Sequence, residues 1–330
     1  MFKKLILATA LAVTTFGQSF GADFTKLVPE EADFILQINV SKIISMPEVQ
    51  GQITDNFNKN PDQKKTYEEL KSKTGFDPLK DINSLTFFSS GTTASNSEPL
   101  AGAFIEGKYD IEKIIKVIKE DKEAAKDVTV SVIDGFNTVL PKNPSDGCGI
   151  FLDDKNLAVG SQSGVDAIKK VKMGKAKSVE NKKDFSALIA KLDTKATVSG
   201  AGLLPKSLKD KMAQNPQAQV LSKINFFRFD FNNDNGIIFN LFAEVDDAKN
   251  VNEVLTQVNG YVAMLRMFTT DAPEVAEILN LLQVSNENAS IKLALNVPAD
   301  KVQEIKKMLE ERAKKLQGPN PADVNAPREK

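Results

Sequence analysis

The chain has 330 residues, 41% of them apolar, with 43 Lys and Arg against 44 Asp and Glu, one cysteine, and neither histidine nor tryptophan. Without histidine there is no Ser-His-Asp or Cys-His nucleophilic pair, no His-bearing zinc site and no imidazole ligation of haem or copper. A single cysteine also excludes an internal disulfide, a CxxC redox centre and an iron-sulfur cluster, and the near-neutral balance gives no field that would attract nucleic acid.

Residues 1–22 carry Lys3 and Lys4, an apolar stretch from Leu5 to about Gly17, and small residues after it. This is the layout of a secretory signal peptide. The apolar stretch is short for a membrane span, so cleavage is expected to leave a periplasmic or extracellular protein with no stable span. Without Lys3 and Lys4 the balance is 41 basic against 44 acidic residues.

Next in the chain, "DFILQINV" (33–40) reads as an opening strand, followed by a helical insertion at about 48–76. There Asn60 is the expected cap, Pro61 takes the first helical position and Gly75 lies past the end. "LTFF" and "AFIEG" read as a hairpin, and Asp110 is placed to cap a helix with Ile111, Ile114, Ile115 and Ile118 on one face. Cys148 has no Lys or Arg within five residues, so it reads as a small buried apolar residue. "GSQSG" (160–164) has Gln162 where a nucleophile elbow needs serine. Ser163 is expected instead to cap a helix with Val165, Ile168 and Val171 on one stripe.

The chain then repeats itself. "LKDINSLTFF" (79–88) matches "LSKINFFRFDF" (221–231), and "AFIEGKYDIEKIIKVI" (103–118) matches "LFAEVDDAKNVNEVL" (241–255), with Phe104/Phe242 and Glu106/Glu244 both offset by 138 residues. "LAVGSQSGVDAIKKV" (157–171) matches "LALNVPADKVQEIKKM" (293–308), with Ile168/Ile305 offset by 137. The second copy has its own amphipathic helix, with Val251, Val254, Val262 and Leu265 on its stripe. The expected fold is therefore α+β: two tandem ferredoxin-like units of βαββαβ type from an internal duplication, with largely antiparallel sheets and helices on one face. The first unit is expected over 23–176 and the second over 177–316, with a disordered tail at 317–330.

"FDFNNDNGIIF" (229–239) places Asp230, Asn232 and Asp234 at the spacing of a calcium loop. Counting from Asp230, however, the sixth position is Asn235 where glycine is needed, and the twelfth is Leu241 where a bidentate Glu is needed. The segment reads better as a hairpin loop, Asp234 to Gly236, with Gly236 left-handed. No metal site, cofactor or catalytic residue is singled out.

The strands flanking that loop carry Phe226, Arg228, Asn240, Phe242 and Glu244 on one face, partly repeated by Phe104 and Glu106 in the first copy. Aromatic residues mixed with charges suit a binding surface for a protein, peptide or apolar ligand; the same face could instead pack against the other half or a second subunit.

The phrases "LVPEEADFILQINVSKII" and "TGFDPLKDINSL" resemble a loose group of exported bacterial proteins with an N-terminal half of this type. The resemblance covers mainly residues 27–120 and lies in structural motifs, so it implies export and names no site. The function expected is a non-catalytic binding or structural module of the cell envelope. The alternatives are a His-independent hydrolase using Asp and Glu in a cleft between the units, or a carrier of a hydrophobic ligand, which requires an apolar cavity of ~300 Å3 or more.

Overall fold

The computed structural model describes residues 24–316 except 91–99, 123, 144–145 and 270–271. The expected signal peptide and tail lie outside the described residues. Two compact units are present, one running to Phe231 and the other from Asn232 onward.

In the first unit β1 (Phe34–Asn39) is followed by four helices: α1 (Val40–Ile44), α2 (Pro47–Lys59), α3 (Pro61–Thr74) and α4 (Pro78–Asp81). Helix α3 begins at Pro61 and stops where Gly75 takes φ +74° and donates its N–H to the Lys71 carbonyl. The hairpin strands β2 (Ile82–Ser89) and β3 (Ala101–Gly107) lead to α5 (Ile111–Glu120), where the Asp110 carboxylate accepts from the Lys113 N–H at 3.1 Å. There follow α6 (Ala124–Asp127), β4 (Val128–Ile133), β5 (Phe136–Pro141), β6 (Cys148–Phe151), β7 (Asn156–Gly160) and α7 (Gln162–Lys172). The cap of α7 is Ser161, not Ser163: its hydroxyl accepts from the Gly164 N–H at 3.1 Å, three residues on. The unit closes with α8 (Lys183–Ile189), β8 (Val198–Leu203), α9 (Lys206–Gln214) and β9 (Ile224–Asn232).

Strands β9, β8, β1, β2, β3, β7, β6, β5 and β4 lie side by side in that order, each antiparallel to its neighbour. The fold is thus α+β with a large antiparallel sheet. Strand β1 pairs with β8, Leu36 opposite Gly200, so strands far apart in the chain meet at the centre of this sheet.

Helices cover both faces of this sheet, where one face was expected. Ile35, Phe88, Phe104 and Ala158 form one core with Val165 and Ile168 of α7 and Phe185 and Leu188 of α8. On the opposite face Leu85, Ile105 and Leu157 pack with Leu70 of α3 and Ile114 and Ile118 of α5. The physical reason is in β2 and β3: Leu85, Phe88, Phe104 and Ile105 occupy both parities of their strands, and a strand apolar on both sides must be covered on both.

In the second unit β12 (Ser290–Pro298) lies between β10 (Gly236–Val245) and β11 (Leu282–Glu287), antiparallel to both. Helices α10 (Val251–Met267), α11 (Pro273–Leu281) and α12 (Ala299–Leu316) complete it. Gly236 has φ +109°, and a Cβ there would run into the Val297 carbonyl oxygen. The buried stripe of α10 holds Val251, Val254 and Val262 but ends before Leu265, which is 48% exposed beside Met264, Met267 and Phe268. In both units the strand carrying the repeated Phe pairs with the strand that enters the closing helix, Phe104 opposite Ala158 and Phe242 opposite Lys292.

Gly164 lies in the first turn of α7, and a Cβ there would be driven into the Ala101 carbonyl oxygen of β3. In an unconstrained helix Gly→Ala gains about 1 kcal/mol. Here Gly164→Ala is expected to lower the melting temperature, because backbone cannot yield as a side chain would; thermal denaturation followed by circular dichroism checks the sign.

Candidate functional site

Within the first unit the residues chosen from the sequence do not converge. Phe104 is fully buried, stacked on Phe24 with ring centroids 5.4 Å apart and tilted against Phe88 at 5.8 Å. Phe226 is half-buried against the same core, and Arg228 lies opposite Ala201 in β8. Strands β9 and β3 are four spacings apart, about 19 Å at ~4.8 Å each. In the second unit Phe242 is buried beneath the Lys292 ammonium, 5.2 Å from the ring centroid, Glu244 accepts from the Ser290 hydroxyl at 2.6 Å, and Asn240 sits opposite Ala294.

Glu106 accepts from the Ser84 hydroxyl at 2.8 Å. Desolvation raises its pKa, against the opposing pull of the Ser84 hydrogen bond and of Lys155. Cys148 is buried in β6, and burial pushes its thiol up to about 11, so it stays protonated and unreactive at neutral pH. Among the described residues no group of three or more His, Cys, Asp or Glu side chains is placed to hold a metal ion, and no helix is long and apolar enough to cross a membrane.

A cavity of about 330 Å3 lies on the α7–α8 side of the sheet in the first unit. Its floor is β1 and β2: Ile35 and Gln37 share a face of β1, and Thr86 of β2 stands directly opposite Gln37. Phe24 and Val28 form one wall, so Phe104 sits one layer behind the lining. The roof consists of Val179, Ile189 and Leu192, with Ser186 half-buried among them, while Glu180, Ala190 and Thr194 stand exposed at the mouth.

Backbone hydrogen bonds hold roof to wall. The Val179 N–H donates to the Val28 carbonyl at 2.8 Å and the Glu30 N–H to the Lys177 carbonyl at 3.1 Å. The Lys182 ammonium donates to the Ala32 carbonyl at 3.0 Å and to the buried Asp33 carboxylate at 3.1 Å, and the Thr25 hydroxyl reaches Glu180 at 2.9 Å. Because the main chain fixes the spacing, small side chains such as Ser186, Ala190 and Thr194 leave room that the sheet face does not fill.

The floor is chemically distinct from the core around it. Cross-strand register aligns Thr86, Gln37, Ser199 and Asp230 across β2, β1, β8 and β9. One adjacent row on the same face is Phe88, Ile35 and Ala201, ending at Arg228 in β9, and the other holds Ser84 and Asn39. Thr86 is 2% exposed, and its Oγ1 has no hydrogen-bond partner among the described residues. An apolar cavity with a few oriented polar groups is the usual form of a small-molecule site.

No family model and no curated protein matches this chain. A solved structure, crystal form I of TP0453, aligns over 87% of this chain and 98% of that one at 9% identity with a TM-score of 0.43. That likeness is too low to carry an argument about fold or function.

Two outcomes follow from the buried groups. The Cys148 thiol is expected to ignore Ellman's reagent in the native protein and to react stoichiometrically in denaturant; fast native reaction would contradict its burial. A raised carboxyl pKa adds stability that is complete below the unfolded-state value and is lost as pH rises through the folded one. Glu106→Gln, which keeps an acceptor for Ser84, should therefore melt higher than the parent at neutral pH, with the gap closing as pH falls toward 4.5, the ordinary glutamate value. Melting curves across pH read this directly.

Proposed function

We propose that the protein is an exported, non-catalytic binding module of the cell envelope and that its site is the cavity between β1–β2 and α8. The observation that carries this reading is a cavity of about 330 Å3 with an apolar wall and roof and the polar pair Gln37 and Thr86 on its floor. At the ~30 Å3 that a water molecule occupies in the liquid, it has room for roughly eleven heavy atoms. The occupant is a small, largely apolar molecule, so the protein acts as its carrier or receptor. The Lys3-Lys4 and apolar N-terminal layout supports export.

The scaffold itself we read as a duplication whose copies are ferredoxin-like in element order. The matched Phe104 and Phe242 strands support common descent of the copies.

Naphthalene fits the volume and fluoresces, and the absence of tryptophan keeps the protein background low. Titration is expected to show saturable one-to-one binding and a higher melting temperature. Ser186→Phe, which places a phenyl ring at the roof, should weaken binding at least tenfold while the fold is kept. Undiminished binding in that variant would move the site elsewhere.

A further inference from the structure

We propose that the cavity selects an uncharged amphiphile, one whose apolar body lies against Phe24, Ile35 and Ile189 and whose single hydroxyl or carbonyl group is set down on Gln37 and Thr86. The inference rests on the cavity being the binding site.

Three observations lead to it. The Thr86 hydroxyl is buried without a partner among the described residues; a buried hydroxyl left unsatisfied costs free energy that a ligand oxygen at the floor would recover. The residues at the floor, Gln37 and Thr86, can donate and accept but carry no charge, and they continue sideways into Ser199, which is equally buried. Three polar residues aligned on adjacent strands beside the apolar row of Phe88, Ile35 and Ala201 form a place for a polar group to sit.

The third observation concerns charge. No Lys or Arg lines the cavity, so a carboxylate or phosphate pushed to the floor would lose its hydration with no counter-ion to replace it. The charged lining residue is Glu180, exposed at the mouth and already accepting from Thr25. An anion meets Glu180 on entry. An ammonium could stop beside Glu180, but its head group would then be at the rim, leaving the Thr86 hydroxyl unsatisfied. A neutral head alone satisfies the floor without a desolvated charge.

The test compares naphthalene, 2-naphthol, 2-naphthoate and 2-naphthylmethylammonium on the full chain by fluorescence titration, with 2-naphthamide and 2-naphthalenemethanol as neutral controls matched in size to the two ions. The naphthol is expected to bind tightest, roughly three- to tenfold tighter than naphthalene, the range of one net hydrogen bond. Each ion should bind at least tenfold more weakly than the naphthol and than its neutral control. In Thr86→Val, which keeps shape and removes the hydroxyl, the ratio of naphthol to naphthalene affinity should fall toward one, and Gln37→Leu should lower it independently if the valine variant misfolds. Naphthoate or the ammonium binding as tightly as naphthol or as its neutral control would overturn the inference and leave a cavity that binds without selecting. A naphthol preference that survives both substitutions would overturn it too. Failure of all the probes to bind the parent protein would overturn the reading beneath it.

Discussion

The antiparallel pairing of β1 with β8 is the contact on which the first unit depends. It joins residues far apart in the chain, Leu36 to Gly200, and brings their strands into one sheet. Its geometry is constrained from the far side. Gly200 and Gly202 have no side chains, and the Phe229 and Phe227 rings of β9 lie over them; a Cβ on Gly200 would meet Phe229 at 2.7 Å and the Ile35 carbonyl at 3.0 Å. A slip of one residue would turn every side chain of β8 to the other face. The polar row would then be broken, since Ser199 would leave Gln37 and Ala201 would leave Ile35.

The cavity is a consequence of that register and of a roof spaced by main-chain bonds. Side chains in a core ordinarily interdigitate until little space remains. Here the segment from Val28 to Asp33 and the segment from Lys177 to Lys182 hold each other through carbonyls and amides, so the gap above β1 and β2 is set before any side chain adjusts. Polar residues line the floor where the neighbouring row is apolar. The same strands thus supply close packing at Ile35, Phe88 and Phe104 and, one step along, a lined space.

Much of the first unit's helical architecture could be read from sequence. Pro61, Gly75 and Asp110 end or begin helices at the expected places, and Val165, Ile168 and Val171 are buried as one stripe. The two-sided sheet was missed because "LTFF" and "AFIEG" were taken for a one-faced hairpin, although consecutive apolar residues are the mark of a strand covered on both sides. The cavity is harder to see: its lining comes from four separate stretches around residues 24–28, 35–37, 86 and 179–194, and its roof residues look like ordinary core. One local signal existed. Gln37 follows Ile35 on the buried parity of β1, and a polar residue at a core position is the kind of exception that marks a site. Phe104 lies one layer behind the lining, because its ring packs against Phe24 and fills the core instead of facing the cavity.

The central claim is that the space above Gln37 and Thr86 is a real, accessible cavity. Xenon enters apolar cavities of this kind and scatters X-rays strongly. In a crystal of the protein pressurised with xenon, the account predicts a bound atom between Ile35, Ile189 and Leu192. Side chains of the protein's own roof filling that volume, with xenon absent from it, would contradict the account.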